Sequence, residues 1–324
     1  MAHLLEQMAY VGETPWHSLG TQLPARQPIE AWAKCAGMNW SIMEARVQYR
    51  PSAGEGEAPL QTVDEQKVLY RSDTHAALSV VGGRYQIVQP REVLEFYRDL
   101  TDAGGYELET AGVLKGGRKL WALARTGHSA QLVGRDAVDG YLLLATSCDG
   151  TLATVAMPTS VRVVCNNTLS VALKGAAQCV RVPHSTTFDA LAVKQQLGIA
   201  VSSWGEFMYR MKTLSQRRVK AQEAAAYFVD VLCQSMGTAP GSASPVATND
   251  RALKRVQALY DGQGMGAELT SSKGTAWGLL NAVTQYVDHE RRARSREYRL
   301  DSAWFGPGAA LKQRALDRAL QLVA

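Results

Sequence analysis

The hydrophobic pattern changes period part-way along the chain, and that change limits the fold more than any other feature. From Trp40 onward apolar and polar residues alternate, with Met43, Ala45, Val47 and Tyr49 set between Glu44, Arg46 and Gln48. Period two marks a half-buried strand. Short runs of the same kind follow at residues 67–71, 77–81 and 85–88, with Gly82-Gly83 as a turn. Two hairpins come next. Residues 106–114 and 119–125 flank Gly116-Gly117, and residues 141–147 and 151–157 flank Cys148-Asp149-Gly150, where Asp-Gly is a strong turn signal.

Helices punctuate this part. One begins after Pro28. Another is expected over 91–103, with Val93, Leu94, Tyr97 and Leu100 on one face, Pro90 at its start and Gly104 past its end. The apolar run 161–165 leads toward a helix near 167–174 and a strand at 178–183. Beyond Ser185 the pattern is helical, with helices expected over 188–214, 220–236, 250–261, 275–294 and 309–323 and a Gly/Ser/Pro linker at 237–245. The reading is an α+β protein, with an antiparallel sheet and packed helices in the front half and a helical rear half. It divides into a sheet-rich domain over 1–185, with its core over 85–175, and a helical domain or extension over 186–324.

A chain of 324 residues that is 46% hydrophobic can bury a substantial core, as one large domain or two ordinary ones. It has no apolar run of about 18 residues, so no membrane contact is expected. Met1-Ala2-His3-Leu4-Leu5-Glu6-Gln7 lacks the basic and apolar regions of a secretory signal, which points to the host cytoplasm. The cysteines agree: Cys35, Cys148, Cys165, Cys179 and Cys233 are odd in number, widely spaced and never in a C-x-x-C pair.

Catalytic signatures are missing. There is no G-x-x-x-x-G-K-[ST] and no G-x-S-x-G. Gly262-Gln-Gly264-Met-Gly266 follows a helix rather than a strand and reads as a helix-ending loop. His3, His17, His75, His128, His184 and His289 are scattered, with no i, i+4 pair. Asp288-His289-Glu290 are neighbours on a helix, where successive side chains point about 100° apart. Cys165 or Cys148 as a nucleophile would need a base that the sequence does not supply. The reading is a non-enzymatic protein with no cofactor and no metal.

What remains is positive charge. The net charge of +5 permits a polyanionic partner without demanding one. Lys115, Arg118 and Lys119 surround the first hairpin turn, with Arg125 further along. Such a hairpin can track a phosphate backbone, although any exposed tip carries similar residues. Arg162-Val-Val-Cys165-Asn166-Asn167-Thr168-Leu169 reads as a strand-to-helix junction. Its Asn-Asn-Thr can cap the helix, or its amides, with Arg162 and Lys174, can hold an anion. Arg217, Arg218 and Lys220 form a small basic knot. Over 275–294, Ala276, Leu280, Val283 and Val287 make one stripe. Asn281, Gln285, His289, Arg292 and Arg296 make another if the helix runs that far. Its end holds Arg291, Arg292, Arg294, Arg296 and Arg299, either as a solvated helix end or as a phosphate or subunit face.

Four blocks resemble one family. They are Gly12-Glu-Thr-Pro15-Trp16-His17-Ser-Leu19-Gly20-Thr21, Val81-Gly82-Gly83-Arg-Tyr85-Gln-Ile-Val88-Gln89, Arg162-Val-Val-Cys165-Asn166-Asn167-Thr168-Leu169 and Gly274-Thr-Ala-Trp277-Gly-Leu-Leu-Asn281-Ala282-Val283-Thr-Gln-Tyr286-Val287-Asp288-His289. Together they resemble the phage/plasmid-like domain-of-unknown-function family of phages, prophages and conjugative plasmids. The chain departs from it at Pro183-His184-Ser185, where the family has Arg-His-Thr. The resemblance implies a role in replication, recombination or defence evasion. It also carries a remote similarity to single-strand annealing, Rad-type recombination proteins, which form oligomers and hold DNA in a basic groove. On that basis the expected function is non-catalytic single-stranded DNA binding that promotes annealing, by a homo-oligomer. The contacts would be Lys115, Arg118, Lys119, Arg125, Arg162, Asn166, Asn167, Lys174, Arg217, Arg218 and Arg292. The alternative is a protein-binding module, such as a host-enzyme inhibitor or an assembly factor, favoured by exposed tryptophans.

Overall fold

The alternating segments of the front half build two separate sheets. The computed structural model describes residues 7–12, 20–52, 58–104, 106–162, 164, 167–170, 179–201, 204–233 and 250–323. The first strands are β1 (Met8–Val11) and β2 (Thr21–Leu23), then β3 (Ile42–Tyr49), β4 (Gln61–Arg71) and β5 (Ala77–Gly82). After them come β6 (Glu107–Leu114), β7 (Lys119–Gln131), β8 (Ala137–Ser147), β9 (Thr154–Arg162), β10 (Asn167–Ser170) and β11 (Val180–Val182). One sheet has the order β10-β9-β8-β7-β6-β1-β2, with β11 also paired to β9; the other is β3-β4-β5. β1 and β2 run parallel, while β6 runs antiparallel to both β1 and β7. The α+β expectation is met.

Helices α1 (Ile29–Cys35), α2 (Pro90–Gly104) and α3 (Ala190–Val201) accompany the sheets. They are followed by α4 (Trp204–Gln216), α5 (Ala221–Cys233), α6 (Asp250–Ala258), α7 (Ala276–Gln285), α8 (Arg296–Phe305) and α9 (Pro307–Gln321). The chain forms two compact units with interleaved segments. The first comprises Met1–Gly127, Tyr141–Pro158 and Gly175–Ala200; the second comprises His128–Gly140, Thr159–Lys174 and Val201–Ala324.

In the first unit α2 lies on the sheet because Val93, Leu94, Phe96 and Tyr97 bury one face of it. The Tyr97 hydroxyl sits 2.8 Å from the Ala122 carbonyl and 3.0 Å from that of Leu142, so a buried polar group finds its acceptors on β7 and β8. The expected strand at 85–88 does not form. Tyr85 N–H closes a turn onto the Gly82 carbonyl, its hydroxyl donates to the Ser147 carbonyl at 2.8 Å, and its ring stacks on His184 at 4.4 Å. Those side-chain contacts hold the segment as coil.

In the second unit every residue of α7 is buried. Its polar members are satisfied internally. Asn281 Nδ2 donates to the Trp277 carbonyl at 2.8 Å, and Gln285 Oε1 accepts from Met265 N–H at 2.8 Å. Thr275 caps the helix, its side-chain oxygen accepting from Gly278 N–H at 3.1 Å. Gly278 is required by close approach, because a Cβ there would lie 2.1 Å from the Ser272 carbonyl oxygen. The expected two-faced helix over 275–294 is thus a central buried one. It widens into a π turn over Tyr286–Glu290 and stops. Ser295 then caps α8, a helix the sequence reading left out, by accepting from Tyr298 N–H at 3.2 Å.

Candidate nucleic-acid interface

The first hairpin is docked rather than projecting. Its tip is a 3-10 turn over Lys115–Gly117. A Cβ on Gly117 would come within 3.0 Å of Trp40 and of Leu78, so the tip packs directly onto those side chains. Cys148 N–H donates to the Arg118 carbonyl at 2.9 Å, and its thiol donates to the Gly117 carbonyl at 3.5 Å. Lys115 is half-buried and Arg118 exposed, whereas Lys119 is buried. Arg125 pairs with Glu109 at 3.1 Å and bonds the Tyr141 hydroxyl at 3.2 Å. A continuous cationic furrow is not what this hairpin presents.

Burial pushes the Cys148 thiol up to about 12, with the neighbouring Asp149 charge adding to the shift. A thiol that stays protonated is a hydrogen-bond donor and not a nucleophile. Cys165 lies outside the described residues.

Arg162 is in the interior of the second unit. Its Nε and Nη2 meet the Asp136 carboxylate at 2.7 and 2.8 Å, and Nη2 also donates to Ser272 Oγ at 2.7 Å and to the Gly266 carbonyl at 3.3 Å. Asp136 further accepts from Ser271 Oγ at 2.6 Å and Trp277 Nε1 at 2.9 Å. Both charged side chains are essentially inaccessible, at 2% and 0% exposure. Arg162 is therefore a clamp within the fold and not a phosphate contact. The Gly262–Gly266 stretch serves this clamp through its Gly266 carbonyl.

The Asn-Asn-Thr stretch is also placed differently from the expected helix cap. Asn167 opens β10, which pairs antiparallel with β9 from Arg162 to Thr159, so the stretch belongs to a hairpin. Thr168 N–H donates to Asp288 at 3.0 Å, and Asp288 takes a second bond from Lys312 Nζ at 2.8 Å. Asn166 and Lys174, and the side chain of Asn167, lie outside the described residues. The buried Asp136–Arg162 and Asp288–Lys312 pairs are what the sequence reading missed. Lys312 offered a signal, since it stands four and seven residues before buried Leu316 and Ala319, on the apolar stripe of α9.

Arg217 pairs with Glu223 at 2.7 Å and donates to the Leu322 carbonyl at 3.1 Å, while Arg218 is exposed and bonds the Lys273 carbonyl at 2.6 Å. The remaining candidate, Arg292, lies in the irregular stretch between the π turn and α8. Arg292 and Arg294 are exposed there, as is Arg296 at the start of α8, and none of the three forms an ion pair among the described residues. The Arg294 guanidinium sits 6.0 Å from the ring centroid of Tyr298, which is itself 45% exposed. Arg299 turns inward and donates to the His289 and Arg291 carbonyls at 2.8 and 3.2 Å. Glu290, the nearest acid on the helix side, is held by Arg255. Arg291 Nη1 is buried without a hydrogen-bond partner. Three exposed guanidinium groups, one of them over the Tyr298 ring, thus lie between the π turn and the first turn of α8.

Charge divides unevenly between the units. The second holds 20 of the 35 Lys and Arg but 13 of the 30 Asp and Glu, a net of +7, which leaves −2 for the first.

A family match runs from β5 to the end of α8, over residues 77–304, and so takes in the arginine loop and the Asp136–Arg162 clamp. The chain belongs to the family described as Domain of unknown function (DUF932). No curated protein and no solved structure matches it. Among the described residues no helix of this DUF932 member is long and apolar enough to cross a membrane. Among the described residues the tryptophans expected to be exposed are not: Trp32, Trp40, Trp121 and Trp277 are buried, and Trp204 and Trp304 are half-buried, while Trp16 lies outside the described residues.

Proposed function

We propose that this DUF932 protein is a non-catalytic nucleic-acid-binding protein that holds single-stranded DNA on its helical unit. The observation that carries the reading is the Arg292–Arg294–Arg296 segment leading into α8, in which three exposed guanidinium groups form no ion pair among the described residues. An exposed arginine cluster is matched by phosphates, whose binding releases counterions. Tyr298 adds a ring face on which a base can stack, which favours an unpaired strand over a duplex. Phosphate-led binding leaves base edges free to pair, so annealing of complementary strands in a phage or plasmid setting fits the same chemistry. Arg218 is a secondary cationic contact on the same unit; Arg162 and Lys119 are withdrawn from the set by their burial.

The test is fluorescence anisotropy of a labelled single-stranded oligonucleotide across a salt series, with the native chain and with R292S/R294S/R296S. Native affinity falls steeply with salt. The triple variant binds more weakly, and its log–log salt slope is shallower by about 2, given roughly 0.7 per phosphate contact on single strands. Equal affinity and slope for the two proteins removes the loop from the reading, and absence of binding at low salt removes the reading itself.

A further inference from the structure

The first unit holds a cavity of about 840 Å³, bounded by the end of β1, the turn before α1, the start of β6 and residues of α1 and α2. That volume suits a small organic molecule. Trp32, Tyr97 and Tyr106 line it, and because the Tyr97 hydroxyl is committed to carbonyls of β7 and β8, Tyr97 offers the cavity ring surface alone. Charges line it in equal number, Arg26, Arg98 and Arg125 against Glu30, Glu107 and Glu109. Arg98 reaches Glu30 at 3.3 Å, in a solvated pair. The pair of Arg125 and Glu109 is built by the backbone. The β6–β7 register slips between Leu108 and Thr110, which makes Glu109 the extra residue of a bulge, a device that re-aims a side chain. The re-aimed carboxylate lies 3.1 Å from Arg125, and the buried Tyr141 hydroxyl sits 3.0 Å from each of its oxygens. Burial and the Glu109 charge both push the Tyr141 hydroxyl above its ordinary value, so it stays a donor. A carboxylate and a guanidinium are thus fixed side by side on the cavity wall. Arg26, in the same lining, holds a φ of 58°, and neither its guanidinium nor the Tyr106 hydroxyl bonds to any described residue. Backbone strain kept at a cavity marks a position held for use.

We infer that this cavity binds a guanine base, carried by a nucleotide or by a single strand. A carboxylate accepts at both oxygens, and a guanidinium donates through a rigid fork. Guanine is the base that fills both at once: its ring N–H and amino group face a carboxylate, while O6 and N7 face a guanidinium. Adenine and cytosine bring a single amino group to the carboxylate, and thymine brings none. The balance of charge in the lining suits a neutral ring, whereas a bare anion would meet three carboxylates. The aromatic lining covers the face of such a ring. Arg26 is the uncommitted cation left for the phosphate that the base carries. The site uses no residue of the arginine segment leading into α8, so the two readings fail separately.

Isothermal titration calorimetry on the full chain tests this. Guanosine monophosphate binds at least about tenfold more tightly than adenosine monophosphate, the lower bound for one bidentate base contact. Inosine monophosphate, which lacks the amino group, falls between them. Glu109→Gln keeps an acceptor for Tyr141 but cannot take both guanine donors, so it melts as the native chain does and loses the guanine preference. Arg26→Ser keeps that preference and loses the advantage of the monophosphate over guanosine. If Glu109→Gln melts early, the inosine comparison on the native chain tests the same contact without a substitution. R292S/R294S/R296S binds guanosine monophosphate as the native chain does. Competition by oligothymidylate with and without one guanine separates the sources: displacement that requires the guanine assigns the strand, and no displacement assigns the free nucleotide. Absence of guanosine monophosphate binding up to about 1 mM overturns the inference. So does equal affinity for the guanosine, inosine and adenosine monophosphates, a guanine preference that survives in folded Glu109→Gln, or a phosphate advantage that survives Arg26→Ser.

Discussion

Replacing Asp136 with alanine leaves the Arg162 guanidinium buried without its counter-charge and strips Ser271 and Trp277 of their shared acceptor. Removing one member of a buried ion pair costs about 3–5 kcal/mol, because the surviving charge keeps its desolvation penalty and loses its compensation. Typical domain stability is about 5–15 kcal/mol, so the loss is a large part of what the second unit has. With a urea dependence of about 2 kcal/mol per molar, the unfolding midpoint falls by about 2 M. The measurement is urea unfolding followed by circular dichroism at the helix band, with anisotropy at zero urea to show that oligonucleotide affinity is retained by the folded fraction. The pair itself is not expected to exceed an apolar substitute in stability, so Asp136→Leu combined with Arg162→Met recovers much of the loss. A midpoint change below about 0.5 M for D136A, accompanied by altered DNA binding, would refute the reasoning and return Arg162 to the surface chemistry it resembles in sequence.

Gly278→Ala forces a Cβ into the space of the Ser272 carbonyl, and overpacking of this kind lowers stability by about 3 kcal/mol, read as an early thermal melt. In the first unit, the Cys148 thiol is held at about 12 against its ordinary 9.0, and Tyr85 is likewise pushed by burial to about 12 from 10.0. The folded state therefore keeps protons that the unfolded chain releases. Stability from these groups is fully present below pH 9.0, declines as pH rises toward 12, and is tested by urea midpoints over that range in native and Cys148→Ala protein. Iodoacetamide at pH 8 should leave Cys148 unmodified in the folded protein, as peptide mass mapping will show.

Local pattern carried the elements, and distant pairing did not. Alternation places β3, β6, β7, β8 and β9, and Pro90 with Gly104 bounds α2, because these signals lie within a few residues of what they describe. Arg162 looks like a cation at a strand end; its counter-charge comes from Asp136, 26 residues earlier, and its other acceptors from Ser272 and Gly266, more than 100 residues later. No window of sequence contains that partnership. Asn166-Asn167-Thr168 suits a helix cap and a hairpin equally, and the choice is made by Asp288 accepting from Thr168. The density of arginine over 291–299 was legible as a candidate surface. Its division into an inward Arg299 and an outward trio was not, because the π turn that ends the helix leaves no residue signature of its own.

With all ten of its residues buried, α7 has no surface left to vary. A saturation library across Ala276–Gln285 would show an almost unbroken stretch of intolerance, while the loop a few residues downstream accepts change readily. Any diversification of ligand preference on this scaffold is thereby channelled into the connections around that helix, where a new side chain alters what is touched without disturbing what is folded.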